Sequence, residues 1–519
     1  MARFFNSAGP CRPGEHYMLP PERRLPGVAE LIERGQYFVV HAPRQSGKTT
    51  AFRTLATRLT AEGRYAALWT SCEAGQRLAS DFEGSIATVL AALLTSASSE
   101  LPAELRPPPI DSAQPAGNRL TDLLTRWAAG APRPLVLFFD EIDALFDDAL
   151  VSVLRQLRSG YSRRPQHFPH AVSLIGLRDV RDYRLSPDGD RLGSASPFNV
   201  KVESLTLRNF DAEEVAELYG QHTAETGQRF SAAALEHAYG LTGGQPWLVN
   251  ALAREVVERI ATDPKVEVEV AQIAAAAENL IVRRDTHLDS LIDRLREPRV
   301  RRVIEPILAG ALVLGDRIED DVAYTEDLGL VTRSGGHLRI ANSIYHEVIP
   351  RALASITQST IYHETRWYVG PDGRLELDRL LRGFVEFWRE HGEPMLASQP
   401  YHEVAAQLVL MSFLQRILNG GGRLDREYAV GSGRLDLCLR WPTPLGEQRE
   451  ALELKTWRDG QADPEKKGID QLAHYLERLG LEEGTLVIFD QRKAAAPIAE
   501  RGTFSEQRRG PLRFKVLKL

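Results

Sequence analysis

Cysteine is scarce in this sequence: 519 residues carry three, Cys11, Cys72 and Cys438, without paired or metal-type spacing. That excludes a disulfide framework and a structural zinc site, and each thiol reads as a small buried hydrophobe in a reducing compartment. Long apolar runs are missing too. Nothing reaches the roughly 18 uninterrupted apolar residues of a membrane helix, and MARFFNSAGP has no apolar stretch behind a basic start, so a soluble, cytoplasmic protein without membrane contact is expected. Positive charge is not in excess: 64 Lys and Arg against 70 Asp and Glu give −6, so any nucleic-acid contact must be local. No repeat of about 20–50 residues is visible, which removes a solenoid. With 43% hydrophobic residues the chain can bury real cores, and its length suggests about three domains.

What is present starts at Tyr37–Thr50. Tyr37, Phe38, Val39 and Val40 read as a strand, a polar turn follows, and AFRTLATRL continues with helical spacing. Gln45, Ser46, Gly47, Lys48, Thr49 and Thr50 sit at the junction, the place of a phosphate-binding loop. Loop amides and a helix N-terminus hold phosphate oxygens, Lys48 reaches the terminal phosphates, and the Thr49 hydroxyl ligates Mg²⁺. Ala42 stands where GxxxxGK[ST] has Gly, so the start of the loop is expected to differ slightly. Roughly 90 residues later LVLFFDEID reads as a buried Walker B strand lying beside the loop strand. Asp140 would hold Mg²⁺ through water and Glu141 would polarise the attacking water; the alternative is an acidic strand end capping the next helix. ATP with Mg²⁺ is the expected ligand.

Along the chain, GVAELIERG gives a short helix, with Tyr17 or Pro20 as adenine contacts or else part of a brace. RYAALWTS reads as a second strand beside the loop strand, and the proline-rich 98–117 stretch as an exposed excursion. AVSLIG reads as another buried strand, ending near Arg178, which is placed to sense a γ-phosphate or else to lie on the surface. NVKVESLTL is a fifth strand, behind a loop with Arg184 and Arg191. From Asp211, with Glu214 as capping-box partner, the pattern turns helical: a lid over 209–285.

The order of GKT loop, FFDEID, LIGLRD, SPFNVKVESLTL, NFDAEEV and TGGQPWLVNAL resembles bacterial AAA-like ATPases of the origin-recognition and STAND-related branch, over roughly residues 1–285. The resemblance implies a P-loop parallel-sheet core (1–208), a lid that closes over nucleotide, and TGGQP at the start of a lid helix near the site. The family's arginine finger, which would reach across a homo-oligomer, has no clear counterpart; Arg178 and Arg191 are the candidates. Residues 286–355 resemble the winged helix that follows such lids. Glu319, Asp320, Asp321, Glu326 and Asp327 oppose a phosphate backbone there and favour packing or signalling.

A linker, YVGPDGR, opens the last domain (376–519). GSGRLDLCLRW puts Asp436 on one strand and ALELKTW puts Glu453 and Lys455 on the same face of the next. Asp436 and Glu453 would bind Mg²⁺ and Lys455 would steady charge on a scissile phosphate; the alternative is a solvated hairpin face. Asp, a turn, then Glu-x-Lys resembles the PD-(D/E)xK nuclease core over about 400–492. That resemblance implies a metal-side role for Glu403 on the preceding helix, and roles for Gln471 and Tyr475 on the following one. Lys466, Lys467, Arg501, Arg508, Arg509, Arg513, Lys515 and Lys518 could track nucleic acid or form a solvated tail. The whole reads as an α/β ATPase whose nucleotide state governs a nuclease acting on DNA, an architecture compatible with defence against foreign DNA by analogy alone. A switch or scaffold that binds without cutting is the first rival, and a DNA-remodelling ATPase the second.

Overall fold

The computed structural model describes residues 3–78, 81–145, 147–178, 201–283, 286–308, 319–334, 337–358, 367–398, 405–414, 422–430, 433–444 and 446–519. They form two compact units, Met1–Asp289 with Glu319–Ile344, and Ser290–Ile318 with Tyr345–Leu519.

In the first unit a short α1 (Val28–Glu33) leads into β1 (Tyr37–His41), which is buried through Val40. Consecutive apolar residues without alternation suit a parallel strand covered on both faces. α2 (Lys48–Ala61) starts at Gly47, whose φ of 86° is a glycine conformation. The five-stranded sheet runs β2 (Ala66–Ser71), β3 (Leu135–Asp140), β4 (Ala171–Gly176), β1, β5 (Lys201–Thr206), all parallel. Two sequence expectations are corrected here. β2 pairs with β3 and not with β1, and β3 is separated from β1 by β4. Neighbour choice in a parallel sheet follows how the crossover helices pack, which chain order alone does not reveal.

α3 (Phe82–Glu100), α4 (Ala116–Gly130) and α5 (Asp147–Ser159) cover one face, with Ile86, Leu93, Leu124 and Leu154 packed on Val39, Leu68 and Leu137. α1 and α2 cover the other, with Leu31, Phe52 and Leu55 on Phe38, Val136 and Phe138. Among the described residues α3 is long and apolar enough to span a bilayer by length and composition, and its Ile86, Val89, Leu90 and Leu93 are buried in this core. The proline-rich 98–117 stretch is mostly exposed, as its composition suggests, and is anchored at three points: Leu101, Leu105 and Ala116 are buried, and Trp127 Nε1 donates to Leu105 O at 2.9 Å.

The helical region comprises α6 (Ala212–Thr226), α7 (Ala232–Thr242), α8 (Pro246–Glu255) and α9 (Val270–Arg283). Asp211 and Glu214 form the reciprocal capping box, worth about 1 kcal/mol. α10 (Thr286–Arg294) and α11 (Pro298–Leu308) follow. α12 (Glu319–Asp327) and the hairpin β6 (Val331–Ser334)–β7 (His337–Ile340) belong to the first unit. Residues 290–318 group with the second unit, so 286–355 is not one compact body. The chain passes from the first unit to the second within α13 (Ser343–Gln358).

The second unit has α14 (Leu377–Ser398), α15 (Ala405–Leu414) and a six-stranded mixed sheet. Its strands are β8 (Arg423–Val430), β9 (Gly433–Thr443), β10 (Gly446–Trp457), β11 (Glu483–Asp490), β12 (Thr503–Arg509) and β13 (Leu512–Lys518), ordered β12-β13-β11-β10-β9-β8. α14 and α15 pack on one face, through Phe384, Trp388, Val409 and Phe413 against Leu452 and Leu454. α16 (Glu465–Leu479) packs on the other, through Ile469, Leu472 and Leu476 against Ala451 and Leu486. Two further expectations change. Residues 368–374 are no linker, since Tyr368 is buried and Gly373 O accepts from Trp441 Nε1 at 2.9 Å. The basic tail is no free tail either, because it forms β12 and β13.

Candidate functional site

The C-terminal ends of β1, β3 and β4 lie on one edge of the parallel sheet, where open α/β folds bind ligands. Thr49 Oγ1 donates to Asp140 Oδ2 at 2.6 Å, and Trp69 Nε1 donates to the same oxygen at 3.1 Å. Asp140 is fully buried, and burial raises its pKa against the lowering effect of those donors. Glu141 sits at φ 55°, a costly conformation for a non-glycine residue. Its Oε2 accepts from Ser71 Oγ at 2.7 Å, and burial raises its pKa. Lys48 Nζ donates to Ala42 O (2.7 Å) and Pro43 O (2.8 Å), and burial lowers its pKa. Gln45 (φ 56°) and Gly47 carry the positive-φ geometry of the loop, and Ala42 does not, so the missing glycine costs nothing there. Arg24 braces the loop from behind, donating to Ser46 O (2.7 Å) and Arg208 O (2.8 Å); its burial pulls its pKa down to about 10.

A cavity of about 410 Å³ runs over these groups, lined by Gln45, Gly47, Lys48, Thr49, Thr50, Asp140 and Glu141. The Asn6–Cys11 turn and, from α8, Trp247 and Asn250 also line it. The turn is tied to both sides, with Cys11 N–H donating to Thr50 Oγ1 (3.0 Å) and Trp247 Nε1 to Ser7 O (2.7 Å). Tyr17 and Pro20 are not part of this wall: Tyr17 is buried against Phe5 and His222 instead. Ser46 is buried beside the cavity without lining it. TGGQP does reach the loop, since Gln245 Nε2 donates to Gln45 O at 3.3 Å.

Arg178 does not line the cavity, although its neighbour Leu177 does. Its guanidinium lies 4.6 Å from the centre of the Tyr324 ring on α12. The same segment meets the loop strand elsewhere: Asp327 Oδ1 is 3.6 Å from His41 Nδ1, and a Cβ on Gly329 would come within 2.7 Å of Pro43. Arg184 and Arg191 lie outside the described residues.

In the second unit, the β9–β10 register pairs Leu437 with Leu452, so Asp436 and Glu453 fall opposite one another. Glu453 is 2% exposed, which removes a solvated hairpin face. Alternation puts Glu453 and Lys455 on the α16 side, since Leu452 and Leu454 pack under α14 and α15. Lys455 Nζ donates to Glu453 Oε1 at 2.6 Å and stands 4.0 Å from Asp436 Oδ2, which accepts from Leu454 N–H at 2.8 Å. Burial and then the Asp436 charge raise the Glu453 pKa well above the carboxylate range. Glu453 Oε2 and Gln471 Oε1 are buried without a hydrogen-bond partner. Tyr475 is buried on α16, and Glu403 lies outside the described residues. Among the described residues no three His, Cys, Asp or Glu side chains cluster. Much of the basic tail is already ion-paired, Lys515 with Asp378, Lys518 with Asp463, Arg509 with Asp470 and Arg513 with Glu483. Lys466 and Lys467 are exposed.

The first unit is built as a P-loop ATPase core: a parallel sheet, a loop with a lysine before its helix, and a paired Thr49 and Asp140. Residues 26–168 match the model of the AAA ATPase domain, so that core is of the AAA type. No curated protein matches the chain. Among solved structures, the Walker-type ATPase PABY2304 of Pyrococcus abyssi is similar at 14% identity and a TM-score of 0.45, over 66% of this chain and 99% of that one. The Thermotoga maritima RuvB Holliday junction branch migration motor is similar at 16% identity and a TM-score of 0.35, over 63% and 92%. The Aeropyrum pernix ORC2 protein, solved in ADPNP–ADP complexes, is similar at 12% identity and a TM-score of 0.38, over 65% and 92%.

Proposed function

We propose that the protein is a cytoplasmic, ATP-hydrolysing switch whose nucleotide state controls a Mg²⁺-dependent nuclease in its second unit, acting on DNA. The observation that carries the nuclease half is the pair of buried, unpartnered oxygens, Glu453 Oε2 and Gln471 Oε1, on the sheet face and helix that also bear Asp436 and Lys455. A buried polar atom without a partner costs about 1–3 kcal/mol. An all-oxygen donor set of this kind fits a hard divalent cation. Asp436, Glu453 and Gln471 would hold it, and when bound it supplies Lewis acidity toward a phosphodiester. Lys455 then places an ammonium beside the scissile phosphate, where charge grows in the transition state.

In the first unit Lys48 exchanges the Ala42 and Pro43 carbonyls for the terminal phosphates. Thr49 and Asp140 form the oxygen pair that would hold Mg²⁺ there, and Glu141, fixed by Ser71, takes the proton of the attacking water. Coupling is supported by the 319–344 segment, which rests on His41, Pro43 and Arg178 and continues into the second unit through α13. A change at the loop therefore bears on the segment leading to the nuclease. A homo-oligomer is the assembly in which a neighbouring copy's arginine would complete the γ-phosphate end. Defence against foreign DNA suits a cutter held under nucleotide control.

The test is incubation of the full chain with single- and double-stranded DNA and RNA, with Mg²⁺ or Mn²⁺, with and without ATP. Metal-dependent cleavage of DNA that changes with ATP is expected. The second reading, a switch that binds without cutting, is favoured by the lack of a three-residue acidic or histidine cluster among the described residues. It requires no cleavage under any of those conditions.

A further inference from the structure

Two cationic side chains line the cavity over the loop among the described residues, Lys48 and Arg44. Lys48 Nζ is held by the carbonyls of Ala42 and Pro43. Arg44 is exposed, and its guanidinium makes no hydrogen bond or ion pair with any described residue. The Pro43 carbonyl belongs to the peptide bond that joins Pro43 to Arg44, so the Lys48 ammonium lies beside the Arg44 backbone. The Arg44 charge acts on that ammonium through space, as do the charges of Asp140, Asp143 and Glu141. Two like charges therefore share one cavity, and one of them is unpaired.

The other arginines at the loop are engaged elsewhere. Arg24 is 5% exposed and donates to Ser46 O and Arg208 O from behind. Arg178 lies over the Tyr324 ring and does not line the cavity. We propose that Arg44 binds the terminal phosphate of the nucleotide beside Lys48, so that this chain tells a triphosphate from a diphosphate with a charge carried in its own loop. This rests on the nucleotide reading of the first unit, in which Lys48 takes the terminal phosphates. A phosphate offers several oxygens to one planar fork of donors, and its negative charge removes the repulsion between the two cations. With a diphosphate the fork is unpaired again, so the contact belongs to the triphosphate state. The residue before Arg44 is Pro43, which Gly329 of the 319–344 segment approaches closely. The switch thus has its γ-phosphate contact one residue from the place where that segment meets the loop.

The experiment measures the affinities of the full chain for the β,γ-imido analogue of ATP and for ADP, both with Mg²⁺, in wild type, Arg44→Ala and Arg44→Lys. Arg44→Ala should weaken the imido analogue roughly 10- to 100-fold, the size of a hydrogen bond to a charged group, and leave ADP close to its wild-type affinity. Arg44→Lys should fall in between, because an ammonium keeps the charge and loses the fork. Since Arg44 is exposed, the empty chain should melt at the same temperature in all three. Equal losses of the imido analogue and ADP in Arg44→Ala overturn the inference, as a general effect on the loop. Unchanged affinity for the imido analogue overturns it too and makes Arg44 a solvated side chain. Both of those results leave the nucleotide reading standing, whereas a wild type that binds neither probe defeats that reading together with this one.

Discussion

The two chemical centres of this chain handle their charges in opposite ways. In the first unit each ionisable group has an internal partner: Asp140 has Thr49 and Trp69, Glu141 has Ser71, and Lys48 has two loop carbonyls. In the second, Lys455 serves Glu453 through one oxygen, and Glu453 Oε2 and Gln471 Oε1 are left without partners. A cradle made of loop backbone and side chains that hold one another is preorganised before its ligand comes. A buried glutamate and a half-exposed aspartate that share one ammonium are electrostatically less complete. The first centre should therefore tolerate an empty state well, and the second should be strained by it.

The sharpest way to break the comparison is to remove a carboxylate from the second centre. Asp436→Ala and Glu453→Ala should each abolish DNA cleavage while ATP hydrolysis by the first unit stays within about twofold, since deleting one charged oxygen ligand disables a two-carboxylate site. Residual cleavage on gels at high enzyme concentration would show that these residues are not the centre. The next effect belongs to Glu141→Gln, which should retain ATP yet lower phosphate release by about 10²–10⁴-fold. Ser71→Ala should produce a smaller fall of the same kind. Unchanged turnover in Glu141→Gln would remove it from the mechanism.

Lys48→Ala should weaken ATP binding by roughly 100-fold, the loss of a charge-assisted contact to the phosphates. Calorimetric affinity equal to wild type would sink the cradle. The smallest effect concerns stability. Burial and Asp436 push the Glu453 carboxyl up to about 7, so the folded chain binds that proton more tightly than the unfolded one. Its contribution is fully present below about pH 4.5 and is lost as pH rises through about 7. Gln cannot ionise, so in EDTA Glu453→Gln should match wild type near pH 5 and exceed it at pH 8 by about 1–3 kcal/mol. Added Mg²⁺ should stabilise wild type more than the variant. Identical melting at pH 8 without metal would mean that the second centre is not strained when empty.

The loop was legible because strand, turn and helix start are contiguous, so spacing alone exposes them. Asp140 and Glu141 were legible for the same reason, as carboxylates at the end of an uninterrupted apolar strand. Trp69 and Ser71 were not, because they act on those carboxylates only through β2–β3 pairing, and the sequence suggested a different neighbour for β2. The one available signal was a polar end, Thr70-Ser71, on an apolar strand. Asn250 and the Asn6–Cys11 turn escaped too, being brought together over more than 230 positions by the Trp247–Ser7 bond. In the second unit the Glu-x-Lys strand was readable from its period of two. Its burial was not, because that depends on α16 covering one face and on β12 and β13 extending a sheet whose last strands looked like a charged tail.

The sequence by itself determined the local elements: which runs become strands, where Gly47 turns the chain into a helix, and which residue types could hold phosphate or a cation. These follow from short-range sterics, periodicity and side-chain chemistry, all written within a dozen residues. Tertiary structure alone decided that β4 lies between β1 and β3, that the 319–344 segment rests on the loop strand, that much of the basic tail is ion-paired, and that the Asn6–Cys11 turn and α8 line the cavity over the loop. Each of those is a long-range packing outcome, set by which surfaces bury together and which polar atoms find partners across hundreds of residues, and no local pattern encodes it.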